Sequence, residues 1–215
     1  MQSMNKAVQL VVLAVLLFSQ AAFGQTLDEF MKAVEEGNVK RAVFYLDRGV
    51  DPNTSDASGN TVLMIASRLG HTDIASMLIA RKASLTRQTN HGDTALLMAS
   101  LGGHLDVVKL LVAAGAPVQT EKGWQPIHYA AFSGATEVVR YLLQRGADKN
   151  ALAPNYYTPL MLAVRERHPE TVRALLLEDV DLTQHGLDGQ TALGIAVKRE
   201  DPVLIDLLKR AGAAN

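Results

Sequence analysis

An all-α solenoid of stacked helix-turn-helix repeats with projecting β-hairpin fingers is the fold this sequence predicts, and three observations predict it. A thirteen-residue block recurs five times, as "GNTVLMIASRLGH" from Gly59, "GDTALLMASLGGH" from Gly92, "GWQPIHYAAFSGA" from Gly123, "YYTPLMLAVRERH" from Tyr156 and "GQTALGIAVKRED" from Gly189, at steps of 33, 31, 33 and 33 residues. A second block, such as "DVVKLLVAAGA" or "EVVRYLLQRGA", follows each one. An alanine returns at one register, at Ala33, Ala66, Ala99, Ala130, Ala163 and Ala196. A period of this length marks units too small to bury an apolar face alone, so that stacking makes the core.

In chain order, the first element is an N-terminal segment of another kind. Lys6 closes a short polar start, Ala7 to Phe18 are continuously apolar, and Ala22 and Gly24 flank Phe23. This is the layout of a secretory signal, residues 1–24, with cleavage expected after Gly24. Twelve helical residues rise about 18 Å against about 30 Å of bilayer hydrocarbon, so no stable membrane anchor is expected after cleavage. The chain has no cysteine, which excludes a lipid-anchored N-terminus, disulfides and thiolate chemistry. The expected destination is the periplasm of a Gram-negative cell or the exterior.

Residues 25–215 then form the repeat domain. A degenerate cap unit spans 27–54, and five repeats lie near 55–86, 87–118, 119–151, 152–183 and 184–213. The first helix of a unit opens at Thr61, Thr94, Thr158 or Thr191, a good N-cap, or at Gln125 in the third unit. Pro126 and Pro159 take the first helical position, where a missing N–H costs nothing. The second helix is apolar at helical spacing, as in Val107, Val108, Leu110 and Leu111, and closes at a glycine such as Gly115 or Gly146, suited to a left-handed C-cap. About nine residues rich in Asp, Asn, Gly and Pro connect units and can turn back as fingers. Charged residues wet the ends: Lys32, Glu35, Glu36, Lys40 and Arg41 at one, Lys198, Arg199, Glu200, Asp201, Lys209 and Arg210 at the other.

These blocks resemble ankyrin repeats, whose unit is a turn plus two helices with the signature T-P-L-H-x-A. "QPIHYAA" matches with Gln125 for Thr, and "TPLMLA" keeps Thr158, Pro159 and Leu160 but has Met161 for His. The resemblance covers Leu27 to the C-terminus. It implies short inner and longer outer helices, a concave face, and a role for His128 in pinning the inner-helix start to a finger.

Chemistry finds little support. Lys+Arg number 21 against 22 Asp+Glu, a formal charge of −1, so nucleic acid is not an expected partner. No nucleophile elbow, phosphate loop, metalloprotease or EF-hand motif is present. His71, His104 and His168 recur at one place in three units and are read as bonding between turns, Met64, Met98 and Met161 as packing. His91 differs, at a fingertip. No cofactor, metal or catalytic residue is expected; the alternative weighed is a metal-binding or enzymatic protein using concave-face histidines.

The positions that do not recur are free to carry specificity. The candidate partner-binding residues are Arg68, Leu69, His91, Leu101, Trp124, Phe132, Tyr156, Tyr157 and Arg165; Glu121 and Lys122 lie beside them on the third finger. Trp, Tyr and Arg dominate binding hot spots. An exported, non-enzymatic module gripping a protein on its concave face follows, as adaptor, inhibitor or protector of an exported protein. The plainer alternative is that Trp124 and Tyr157 pack on each other and brace neighbouring fingers. The two residues missing from the 31-residue step fall before Trp124, which should leave a notch with Trp124 at its edge.

Overall fold

Threonine hydroxyls start four of the inner helices. Thr61, Thr94, Thr158 and Thr191 accept from the backbone N–H of Met64, Leu97, Met161 and Gly194 at 3.2, 3.4, 3.2 and 3.1 Å. Each bond satisfies one of the N–H groups that a helix start leaves unpaired. The computed structural model describes residues 24–120 and 123–213. Apart from Gly24, the signal segment lies outside the described residues, as do Glu121 and Lys122.

Two helices alternate along the chain. The inner row is α1 (24–35), α3 (Val62–Leu69), α5 (Ala95–Leu101), α7 (Pro126–Phe132), α9 (Pro159–Arg165) and α11 (Ala192–Lys198). The outer row is α2 (Val39–Asp47), α4 (Thr72–Ala80), α6 (Leu105–Ala113), α8 (Thr136–Gln144), α10 (Pro169–Leu176) and α12 (Pro202–Arg210). The six recurring alanines are all fully buried. With only a methyl group at that register, α3, α5, α7, α9 and α11 approach one another more closely than their outer partners do. A row that is tighter on one side curves toward it, so the inner helices and fingers line the concave face. The core runs unbroken through all units, with Phe30, Leu63, Leu96, Ile127, Leu160, Leu193 and Leu204 among its members.

The fingers are tight turns. At the tips, Asp56 N–H donates to Asn60 O at 3.0 Å, Thr89 to Asp93 at 2.9 Å, Ala153 to Tyr157 at 3.0 Å and Gly186 to Gln190 at 3.0 Å. Each closes the chain within five residues and returns it at once to an inner helix, leaving no length for a ladder. One isolated bridge, Ser55 to Thr61, is the only β pairing among the described residues. The tips bond sideways instead: Asn90 N–H donates to Ser58 O at 3.1 Å, and Leu187 N–H to Asn155 O at 3.0 Å. Among the described residues no helix is long and apolar enough to cross a membrane.

Candidate functional site

The histidines are the first residues to place, because they could have carried chemistry. His71, His104 and His168 each stand at the start of an outer helix and donate Nε2–H backward to Glu35 O, Arg68 O and Phe132 O, at 3.0, 2.9 and 3.0 Å. Each ring lies against the preceding unit's turn, so close that a Cβ on Gly70 would fall 2.5 Å from His104 Nδ1. His128 is fully buried; its Nδ1 accepts from Gln125 N–H at 2.9 Å and its Nε2–H donates to Ala151 O at 2.8 Å. Both nitrogens are satisfied in the neutral ring, and burial pushes its pKa below the ordinary value. Gln125 consequently leaves the cap to His128 and turns its amide to the finger, bonding Thr120 N–H and Thr120 O at 2.7 Å each. His91 is exposed at its fingertip. No group of three or more His, Asp or Glu among the described residues is placed to hold a metal ion.

The aromatic row divides into outward and inward members. Phe132 and Tyr156 are 39% and 49% exposed, and Leu69 is 38% exposed. Arg68 is exposed, and Leu101 half-buried. Trp124 is half-buried and meets His128 and Tyr129 in T-shaped contacts, with ring centres 5.8 and 5.9 Å away. Tyr129 in turn donates its hydroxyl to Asp93 Oδ1 at 2.5 Å, and burial together with that carboxylate raises its pKa. Tyr157 departs from the expected exposed face, being only 8% exposed. Its ring lies on the backbone of Gly186, where a Cβ would fall 2.3 Å from Tyr157 Cε1, and its hydroxyl donates to Asp188 Oδ2 at 2.6 Å. The finger of the fifth unit covers it, because a tyrosine at this register reaches the next tip. Trp124 and Tyr157 therefore brace, though against other residues and not against each other as the plainer alternative had it.

Two hollows flank these braces. Beneath the short third finger, Val118, Thr120, Gln125, Ile127, Ala151 and Leu152 line a space of about 250 Å³. This is where the notch was expected, but Trp124 is not on its wall. The second hollow, about 300 Å³, opens between the fourth and fifth units. Tyr157 and Ile195 lie at its base, Asp188 and Gln190 on the finger side, and Arg165, Lys198 and Arg199 along the inner-helix ends. The Arg165 guanidinium sits between two rings, 5.7 Å from the centre of Phe132 and 5.3 Å from that of Tyr157, and pairs with Glu166 at 2.8 Å. The Tyr157 hydroxyl, and less strongly the charge of Lys198, hold Asp188 below the usual carboxylate range.

Comparison with known proteins agrees with this architecture. The family model described as ankyrin repeats (3 copies) matches residues 30–122, 83–153 and 112–186. The chain belongs to the ankyrin-repeat family. An ankyrin repeat-containing protein of Treponema pallidum is 33% identical over 181 residues, covering 84% of this chain and 51% of that protein. Human B-cell lymphoma 3 protein is 37% identical over 92 residues, 41% of this chain and 20% of its own length. The chain thus spans about half or less of these relatives. The crystal structure of the human ASB11 ankyrin repeat domain superposes with a TM-score of 0.81 at 27% identity, covering 86% of this chain and 84% of that one.

Ankyrin repeats are generally protein–protein interaction modules and typically non-enzymatic. In this ankyrin chain the sequence-based candidates Phe132, Tyr157 and Arg165 come together across the third and fourth units; Tyr156 stands exposed at the fourth fingertip, and Leu69 and His91 lie apart toward the N-terminal side. Lys198 and Arg199, which the sequence places both at the charged C-terminal end and among the non-recurring positions of the last unit, line the hollow beside Tyr157 and Arg165. Their register held the signal: Lys198 follows Arg165 by 33 residues, in the row of Arg68, Leu101 and Phe132. The Asp93–Tyr129 pair left no comparable mark, since nothing in the linear order links a fingertip to the next unit's helix.

Proposed function

We propose that this ankyrin chain is an exported, non-enzymatic module that holds one protein partner on its concave face, as adaptor, inhibitor or protector of an exported protein. The observation that carries this is the exposure of Leu69, Phe132 and Tyr156 at positions that do not recur, with Arg68 and Arg165 beside them. Side chains that build the stack are buried in unit after unit. Large apolar residues left in water on the face between fingers and inner helices, next to arginine, have the composition of contact hot spots.

The burial of Tyr157 and the half-burial of Trp124 decide which residues to change. A crosslinking pull-down from the exported fraction, comparing wild type with a Phe132→Ala, Tyr156→Ala double variant, leaves the braces intact. Loss of a partner is expected; recovery of the same proteins in equal yield would sink the proposal. Export has its own check, since N-terminal sequencing of the mature protein should begin at Gln25, and a chain beginning at Met1 would remove the signal from the reading. Metal analysis of the purified protein tests the alternative class: a stoichiometric bound ion would revive the histidine-based reading.

A further inference from the structure

Resting on that concave-face reading, we infer that the hollow between the fourth and fifth units receives a carboxylate side chain from an extended acidic segment of the partner. Its cations set this preference. The carboxylate that lines the hollow is already engaged, Asp188 accepting from the Tyr157 hydroxyl and from Gln190 Nε2 at 2.6 and 2.7 Å, and Glu166 is engaged in its pair with Arg165. Lys198 and Arg199 make no ion pair among the described residues, although both line the same space. A cation at the end of α9 and another at the end of α11 are expected from the helix dipole alone. Arg199 exceeds that requirement, and it points the site toward an incoming charge of opposite sign.

The row of inner-helix ends adds a direction. Leu101 and Phe132 precede Arg165 and Lys198 in equivalent positions, so a segment lying along the face meets an apolar stretch and then cations. Tyr156, at the fingertip of the unit that carries Arg165, is held there at some cost. Its backbone has φ 60°, in the left-handed region, where the other four tips use Gly59, Gly92, Gly123 and Gly189. Strain retained for a half-exposed ring is a mark of a functional position. Nucleic acid fits this hollow poorly, because Asp188 and Glu166 would repel a run of phosphates while leaving room for a single carboxylate. An acidic protein segment with an apolar residue beside its Asp or Glu satisfies both halves.

Selection of displayed random dodecapeptides on the full-length protein tests this directly. Pools selected on wild type should be enriched in Asp and Glu beside an apolar residue, and a Lys198→Gln, Arg199→Gln variant should lose that enrichment. A selected peptide should bind Tyr156→Gly about tenfold more weakly, although that variant keeps its fold. Pools that are apolar without acids, or that are basic, would overturn the acidic assignment while leaving the concave-face reading standing. Pools with no enrichment would overturn the occupied hollow, and only the separate failure of the Phe132→Ala, Tyr156→Ala pull-down would remove the face as a whole.

Discussion

Tyr156 and His128 show how one residue can serve either the stack or the surface. A non-glycine residue in the left-handed region costs about 1–2 kcal/mol, while glycine loses about 0.5–1 kcal/mol more chain entropy on folding. Tyr156→Gly should therefore stabilise the protein by up to about 1.5 kcal/mol in urea unfolding, and a loss of stability would show that the ring contributes to the fold. His128 makes the opposite case, a polar group wholly spent on structure. Burial lowers its folded pKa below the unfolded value of about 6.5. As pH falls through 6.5 the unfolded chain takes up a proton that the folded chain refuses, so stability is full above that pH and is lost below it, by up to about 1.4 kcal/mol per pH unit. Leu97 occupies the same register one unit earlier, so His128→Leu is sterically acceptable. That variant should cost about 1–3 kcal/mol at pH 7.5 for the lost hydrogen bonds and should flatten the acid limb measured by urea titrations between pH 7.5 and 5.

Between adjacent units, the seam is the element that varies. His71, His104 and His168 each close one by reaching a carbonyl of the preceding inner helix. At the corresponding place the third unit has Ala135, and a hollow of about 350 Å³ lies there, lined by Leu101, Gly103, Ser133, Gly134, Ala135 and Thr136. Ser133 Oγ, 3.4 Å from Ser100 O, is a long substitute bond. Ala135→His should place Nε2 near Leu101 O and raise stability by about 1 kcal/mol, read as a higher urea midpoint with unchanged slope; an unchanged or lower midpoint would show that this seam cannot accept the ring. The repeating parts of the elements were evident in the sequence, because one register recurs at fixed steps and its threonines, alanines and glycines each have a local physical task. The binding face was only partly evident. Exposure of Phe132 and Tyr156 followed from their failure to recur, but Tyr157 shares that property and is buried, and Trp124 shares it and is half-buried. Tyr157 is covered by the next unit's finger, a contact made in space with no trace in the residue's own neighbourhood, whereas Trp124 leans on His128 and Tyr129 of its own unit.

Across the whole molecule, stability is a sum of unit and interface terms, so the consequence of a change depends on its place in the row. A middle unit touches two neighbours and an end unit one. Ile127 in the third unit and Leu208 in the last are both essentially buried, at 1% and 0% exposure. The last unit's outer face is open, however: Val197 is 50% exposed, whereas Ser67, Ser100, Ala131 and Val164 at the same register are fully covered by the following unit. Removing core volume at Ile127 weakens a unit that cannot unfold without breaking two interfaces. Ile127→Ala should lower global stability by about 2–5 kcal/mol. Leu208→Ala removes comparable volume, but α11 and α12 can detach at the cost of a single interface, so the loss is capped near the energy of that unit. Its signature is a different one. The denaturant slope should fall, because less surface remains to be exposed in the main transition, and amide hydrogens of α12 should exchange early while those of α5 and α7 keep their protection. Equal midpoint shifts with equal slopes in the two variants would mean that the six units unfold as one cooperative block, and that interface energy outweighs the stability of any single unit.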